Sequence, residues 1–207
     1  MQNIGVEWLK CFWGINRWVV LTLLAFSAAS FMEWHAPGPA EAFQKKIAFQ
    51  RHFFDVSTNA SGSIRELVIK VLRDNQPLMT IRLNTDGWVI DAQAADLDQN
   101  GSPEIYVYSC SYGSGAFGRV YGYQFFPTSF DVIRMEALND AQKNGYMGHD
   151  HFKIENQNLI RQFPVYRPGD TNAQPTGGFR TIRYTLRDID KKLTLVGIET
   201  TDSKTSK

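Results

Sequence analysis

From residue 43 to residue 198 the chain alternates apolar and polar side chains in short runs, each closed by Gly, Pro, Asn or Asp. Residues 46–56 alternate imperfectly and stop at Asn59-Ala-Ser-Gly-Ser63. Residues 64–72 alternate cleanly through Leu67, Ile69 and Val71 and stop at Asp74-Asn-Gln-Pro77. Runs at 78–83 and 88–97 are separated by Asn84-Thr-Asp-Gly87. Further runs cover 105–108, 120–126, 152–154, 159–163, 179–186 and 193–198, and Glu155-Asn-Gln-Asn158 has the composition of a hairpin turn. Short β-rich runs at intervals of roughly ten residues predict a sandwich or barrel. The prediction is an all-β, single antiparallel β-sandwich, with residues 129–143 as the one stretch able to hold a short helix.

Two long loops interrupt this regularity, at 109–119 and at 164–178. Connections of such length in a compact domain are often functional, and otherwise are surface loops packed by their own side chains. The first carries glycines at 113, 115 and 118, more than a plain hairpin turn requires.

Composition narrows the class of partner. The 207 residues carry a formal net charge of +1, with 43% hydrophobic and 21% charged residues, as in ordinary globular proteins. A near-neutral balance without a Lys/Arg run argues against nucleic acid or an anionic membrane surface. At the N-terminus, Lys10 and Arg17 precede the apolar run 18–29, WVVLTLLAFSAA. That run is shorter than the roughly 20 residues a membrane span needs. It reads as an export signal over residues 1–42, cleaved near 29 (Ser27-Ala28-Ala29) or 42 (Ala40-Glu41-Ala42). An uncleaved anchor is the other reading. Residues 43–207 then form one domain, with no membrane contact expected once the signal is removed.

Catalytic chemistry finds little footing. The cysteines are Cys11, inside the signal, and Cys110, on a strand pattern and read as a small buried residue. Beyond residue 42 the histidines are His52, His149 and His151, and no nucleophile elbow or phosphate-binding loop is present. His149 and His151 would share one strand face and could hold zinc, but a third ligand is missing, so no metal is expected there. Asp96-Leu-Asp-Gln-Asn-Gly-Ser-Pro-Glu104 spaces oxygen ligands at alternate positions, then a turn glycine, as calcium loops do. A single copy without flanking helices favours the other reading, an Asp/Asn turn whose side chains cap backbone N–H groups.

Asp96-Leu-Asp-Gln-Asn-Gly-Ser-Pro-Glu-Ile-Tyr-Val-Tyr108, Gly113-Ser-Gly-Ala-Phe-Gly118, Gly145-Tyr-Met-Gly-His-Asp150 and Arg161-Gln-Phe-Pro-Val-Tyr-Arg-Pro-Gly-Asp-Thr-Asn-Ala-Gln-Pro-Thr-Gly-Gly178 come in this order. Together they resemble the periplasmic inhibitors of invertebrate-type lysozyme, over about residues 43–195. The resemblance implies a periplasmic β-sandwich that is no enzyme, needs no cofactor and blocks lysozyme, its protein partner. A homodimer stays open. It also implies that a Ser-Gly-x-Tyr loop enters the lysozyme cleft, where serine and tyrosine meet the catalytic acidic residues. The serine is Ser114; the tyrosine position holds Phe117, which lacks the hydroxyl, and Tyr112 lies close enough to substitute. The implied target-binding set is Tyr112, Gly113, Ser114, Gly115, Ala116, Phe117 and Gly118. Two other readings compete. One is a calcium-dependent carbohydrate or cell-wall binding module that uses Asp96, Asp98, Asn100 and Glu104. The other is an adhesion or structural domain that uses its sheet edges.

Overall fold

The computed structural model describes residues 41–59, 62 and 64–203. The export-signal reading falls, except for residues 41 and 42, outside the described residues. The described chain is almost entirely β, in two sheets packed face to face, which bears out the all-β sandwich.

The first sheet is a meander of β1 (Gln44–Phe49), β2 (His52–Thr58), β3 (Ile64–Arg73) and β4 (Gln76–Asp86), in that order and antiparallel throughout. Sequence predicts a single strand over 46–56, but the chain reverses at Gln50-Arg51 and splits that run into β1 and β2. Gln50 takes the turn with φ 52, a left-handed conformation that no Gly or Asn announces. The β3–β4 turn places both Asp74 and Asn75 at positive φ (50 and 62), the twist that two-residue hairpins favour.

The second sheet has eight strands in the order β5-β6-β7-β8-β12-β11-β10-β9. They are β5 (Trp88–Ala95), β6 (Glu104–Cys110), β7 (Gly118–Phe125), β8 (Phe130–Met135), β9 (His151–Glu155), β10 (Asn158–Pro164), β11 (Phe179–Ile189) and β12 (Lys192–Ser203). The stretch able to hold a short helix, 129–143, does so at its end: β8 comes first, then the four-residue helix α1 (Asp140–Lys143), started by an Asn139 capping box. The sheet is not wholly antiparallel: β12 runs parallel to β8, through Thr194↔Arg134 and Leu195↔Met135. Pairing the last strand with one 60 residues earlier leaves no local signature, so the fully antiparallel prediction is corrected here.

Strand β6 organises the core because water reaches neither of its faces. Ile105 and Val107 (0% exposed) point into the cluster shared with Phe54, Val56, Leu67 and Ile69 of the first sheet. Tyr106 and Tyr108 (0% exposed) point the other way, into a second cluster with Phe152, Leu159, Ile182 and Leu195. Around that second cluster the sheet curls until its two edges approach. Gln93 Oε1 on β5 accepts from Tyr108 OH at 3.0 Å and from Ile154 N on β9 at 2.9 Å. Strand β6 spans about 20 Å at ~3.3 Å per residue, with the glycine-rich loop at one end and the 96–104 turn at the other.

Candidate functional site

Three segments distant in sequence meet beyond the C-terminal end of β6. Cys110, the last residue of β6, is buried with Trp88 and Ala116. Ser111 closes the glycine loop from both sides: its N–H donates to Phe117 O and its Oγ accepts from Phe117 N, each at 2.9 Å. Two of the three glycines make room for packing within the chain. A Cβ on Gly115 would fall 2.4 Å from the Phe117 ring, which folds back over it. A Cβ on Gly118 would fall 2.6 Å from both Asp150 Cβ and the Phe152 ring. Only Gly113, at φ +109 in open space, is required by conformation alone.

The second segment, residues 145–150, lies against the loop backbone to backbone. His149 N donates to Gly115 O at 2.9 Å, and a Cβ on Gly148 would sit 1.8 Å from that same oxygen. The third segment is the loop at 165–178. It is folded on itself rather than structureless: Asp170 Oδ2 accepts from Arg167 N at 2.7 Å and Thr176 N at 2.8 Å, and Thr171 bridges Gln174. From it Asn172 Nδ2 reaches across to donate to Ser114 O at 2.7 Å.

A buried ionic knot fixes the base of all three. Asp150 (3% exposed) accepts from Gly118 N at 2.8 Å, Tyr146 OH at 2.6 Å and Arg161 Nε at 2.6 Å. Arg161 also donates to Tyr146 OH at 2.8 Å and lies over the Tyr146, Phe152 and Phe163 rings. Burial, with the Asp150 charge adding to it, pushes the Tyr146 hydroxyl well above its ordinary value, so it remains a donor. A knot with both charges paired and hydrogen-bonded is rigid as long as neither partner is removed.

The surface left by this bracing is small and mixed. Gly113 and Ser114 are exposed, Phe117 is 46% exposed and Met147 is 44% exposed, whereas Ala116 is buried. Tyr112 is turned elsewhere. Its ring packs on Trp88 at 5.1 Å, its hydroxyl donates to Gly62 O at 3.0 Å, and it accepts from Arg65 Nε at 3.2 Å. An engaged hydroxyl cannot replace the one absent at Phe117, so Ser114 offers the loop's outward-facing hydroxyl. Sequence reading singled out 112–118, weighed His149 only as a zinc ligand, and gave no role to Tyr146, Met147, Asp150, Arg161 and Asn172. All six stand in segments that carry the resemblance, but the contacts that bring Asp150, His149 and Asn172 to the loop reach residues 32 to 58 positions away.

The opposite end of β6 carries the acidic turn. Ligand oxygens of Asp96, Asp98 and Glu104 lie within 4.8 Å of one another, the only such group among the described residues. His149 and His151 do not join one: His149 sits at φ 59 ahead of β9, so the two do not share a strand face. The turn largely satisfies itself. Gly101 N donates to Asp96 Oδ2 at 3.0 Å, Leu97 N to Glu104 Oε2 at 2.7 Å, and Ser102 N to Asn100 Oδ1 at 2.7 Å. Gln124 Nε2 donates to Asp98 Oδ2 and Glu104 Oε1, both at 3.1 Å. Asp96 Oδ1 alone is buried without a hydrogen bond. Burial, reinforced by the Asp98 and Asp96 charges, pushes the Glu104 carboxyl up to about 7. A divalent cation would fit three such carboxylates in charge, but the Gln124 amide donor occupies the space between two of them, and the Asn100 oxygen is already used.

Compared with known proteins, the chain matches no family model, no curated protein and no solved structure.

Proposed function

We propose that the chain is a periplasmic, non-enzymatic inhibitor that blocks the active-site cleft of lysozyme, of the invertebrate type. One observation carries the reading. The segments 113–118, 145–150 and 161–178, each resembling the inhibitor family and scattered over 66 positions of sequence, converge on one pole and present Ser114 and Phe117 outward. A lysozyme cleft holds two carboxylates, and a serine hydroxyl on a braced loop can donate to one of them. Such a hydrogen bond to a charged group is worth about 1.5–3 kcal/mol, roughly 10- to 150-fold in affinity. The Phe117 ring adds apolar area beside it. The test is an inhibition assay against invertebrate, chicken and goose lysozymes. Inhibition strongest for the invertebrate enzyme is expected, and inhibition of none overturns the reading.

A second reading, a calcium-dependent carbohydrate or cell-wall binding module, is favoured by the three convergent carboxylates and the unsatisfied Asp96 Oδ1. It requires calcium to raise the melting temperature by mass action, which the inhibitor reading does not.

A further inference from the structure

The glycine loop is held from behind by the backbone amide of one histidine. His149 donates its N–H to Gly115 O at 2.9 Å, with Ala116 O at 3.2 Å. Its ring nitrogens are sheltered from water, its ring leans on Tyr166 at 6.2 Å, and its side chain interacts with that of Asn172. Asn172 in turn donates to Ser114 O at 2.7 Å. The residue that pins the loop through its backbone N–H thus carries a titratable ring sheltered from water, packed on Tyr166 and beside the Asn172 side chain that grips Ser114 O. We propose that His149 is the positioning residue of the Ser114 loop and that adding a proton to its ring undocks the loop, so the pole keeps its shape at neutral pH and loosens in acid.

The surroundings of the ring set the direction. An imidazolium sheltered from water loses hydration, so burial lowers the His149 value, and the Asp150 charge and Asn172 oppose this only in part. Asp150 is a weak counter-ion here because its oxygens already serve Arg161, Tyr146 and Gly118 N. From the second loop the facing ionisable group is Tyr166, whose hydroxyl burial pushes upward and which donates to Asn172 O at 3.0 Å. From the glycine loop, the carbonyls of Gly115 and Ala116 face His149. An undocked histidine takes its proton near the ordinary ~6.5. The docked arrangement is thus fully favoured above that value and is lost as pH falls through the depressed one. A pH-dependent grip on lysozyme follows only if the proposed function holds; the loop movement does not depend on it.

Hydrogen exchange on the full chain tests this without lysozyme. The amides of Ala116, Phe117 and His149 are followed from pH 7.5 to 5.0, corrected for intrinsic rates, with Ile69 and Val107 as core references. Protection of the three loop amides is expected to fall about threefold or more relative to the core. The midpoint should coincide with the His149 ring titration followed by proton NMR, and His52→Gln should leave it unchanged. In His149→Gln, which cannot titrate, the pH dependence should vanish. Loop protection that is flat with pH in the parent, or a midpoint displaced from the His149 titration, overturns the proposal.

Discussion

Gly148 shows most sharply what a single position contributes to this molecule. It sits at φ +91, and an added Cβ would land 1.8 Å from the Gly115 carbonyl oxygen. Gly169 has nearly the same conformation, φ +93, with nothing within 4 Å of its Cβ position. Both Gly148→Ala and Gly169→Ala pay the strain of a left-handed alanine, about 1 kcal/mol. Only Gly148→Ala also forces two backbones apart, which costs a further ~1–3 kcal/mol by analogy with overpacking. At about 2–4 °C per kcal/mol for a domain of this size, thermal unfolding should place Gly148→Ala several degrees below Gly169→Ala. Equal melting temperatures would mean that the 145–150 segment is not pressed against the glycine loop. Residue-level signals were legible here only in part. Glycines at 113, 115 and 118 marked the loop, but the side chains they make room for, Phe117, Asp150 and Phe152, mostly lie far along the chain.

Strands were read well where one face meets water and poorly where none does. The alternation of 64–72 returns as β3 with Leu67, Ile69 and Val71 inward, and 159–163 and 179–186 return as β10 and β11. Strand β6, buried along its whole length, has no polar face from which to deduce its orientation. The β1–β2 reversal was hidden because Gln50-Arg51 lacks turn chemistry, and the β8–β12 pairing because parallel partners need no local signal. The first residue of β6 also carries an energetic consequence. Glu104 is fully buried, and its carboxyl is held near 7 instead of about 4.5. The folded state therefore binds more protons than the unfolded one between those values, and this group's contribution to stability falls as pH rises from about 4.5 to 7. The loss is at most about 3 kcal/mol. Urea unfolding of the parent and Glu104→Gln at pH 4.5 and 8 isolates it: the variant should lose less stability, or gain more, over that interval. Identical pH dependence in the two proteins would contradict the buried, ionisation-averse site.

For the whole molecule, the decisive feature is polarity along β6. The acidic turn and the glycine loop, both conspicuous in sequence, stand at opposite ends of one doubly buried strand, so they cannot form a single site. The order of the four motifs was readable from the sequence alone, and so was the existence of the two long loops. Their meeting place was not, because it depends on β9 and β10 folding back beside the end of β6 and on the Asp150–Arg161–Tyr146 knot that ties them there. That geometry makes Ser114 the point where the account is most exposed to disproof. Ser114→Ala removes an outward hydroxyl and leaves intact the backbone carbonyl that Asn172 grips, so its melting temperature should match the parent within about a degree. The dissociation constant for invertebrate-type lysozyme, measured for parent and Ser114→Ala, should rise about 10-fold or more through loss of one charge-assisted hydrogen bond. A folded Ser114→Ala protein that binds as tightly as the parent would contradict the claim that this loop enters the lysozyme cleft.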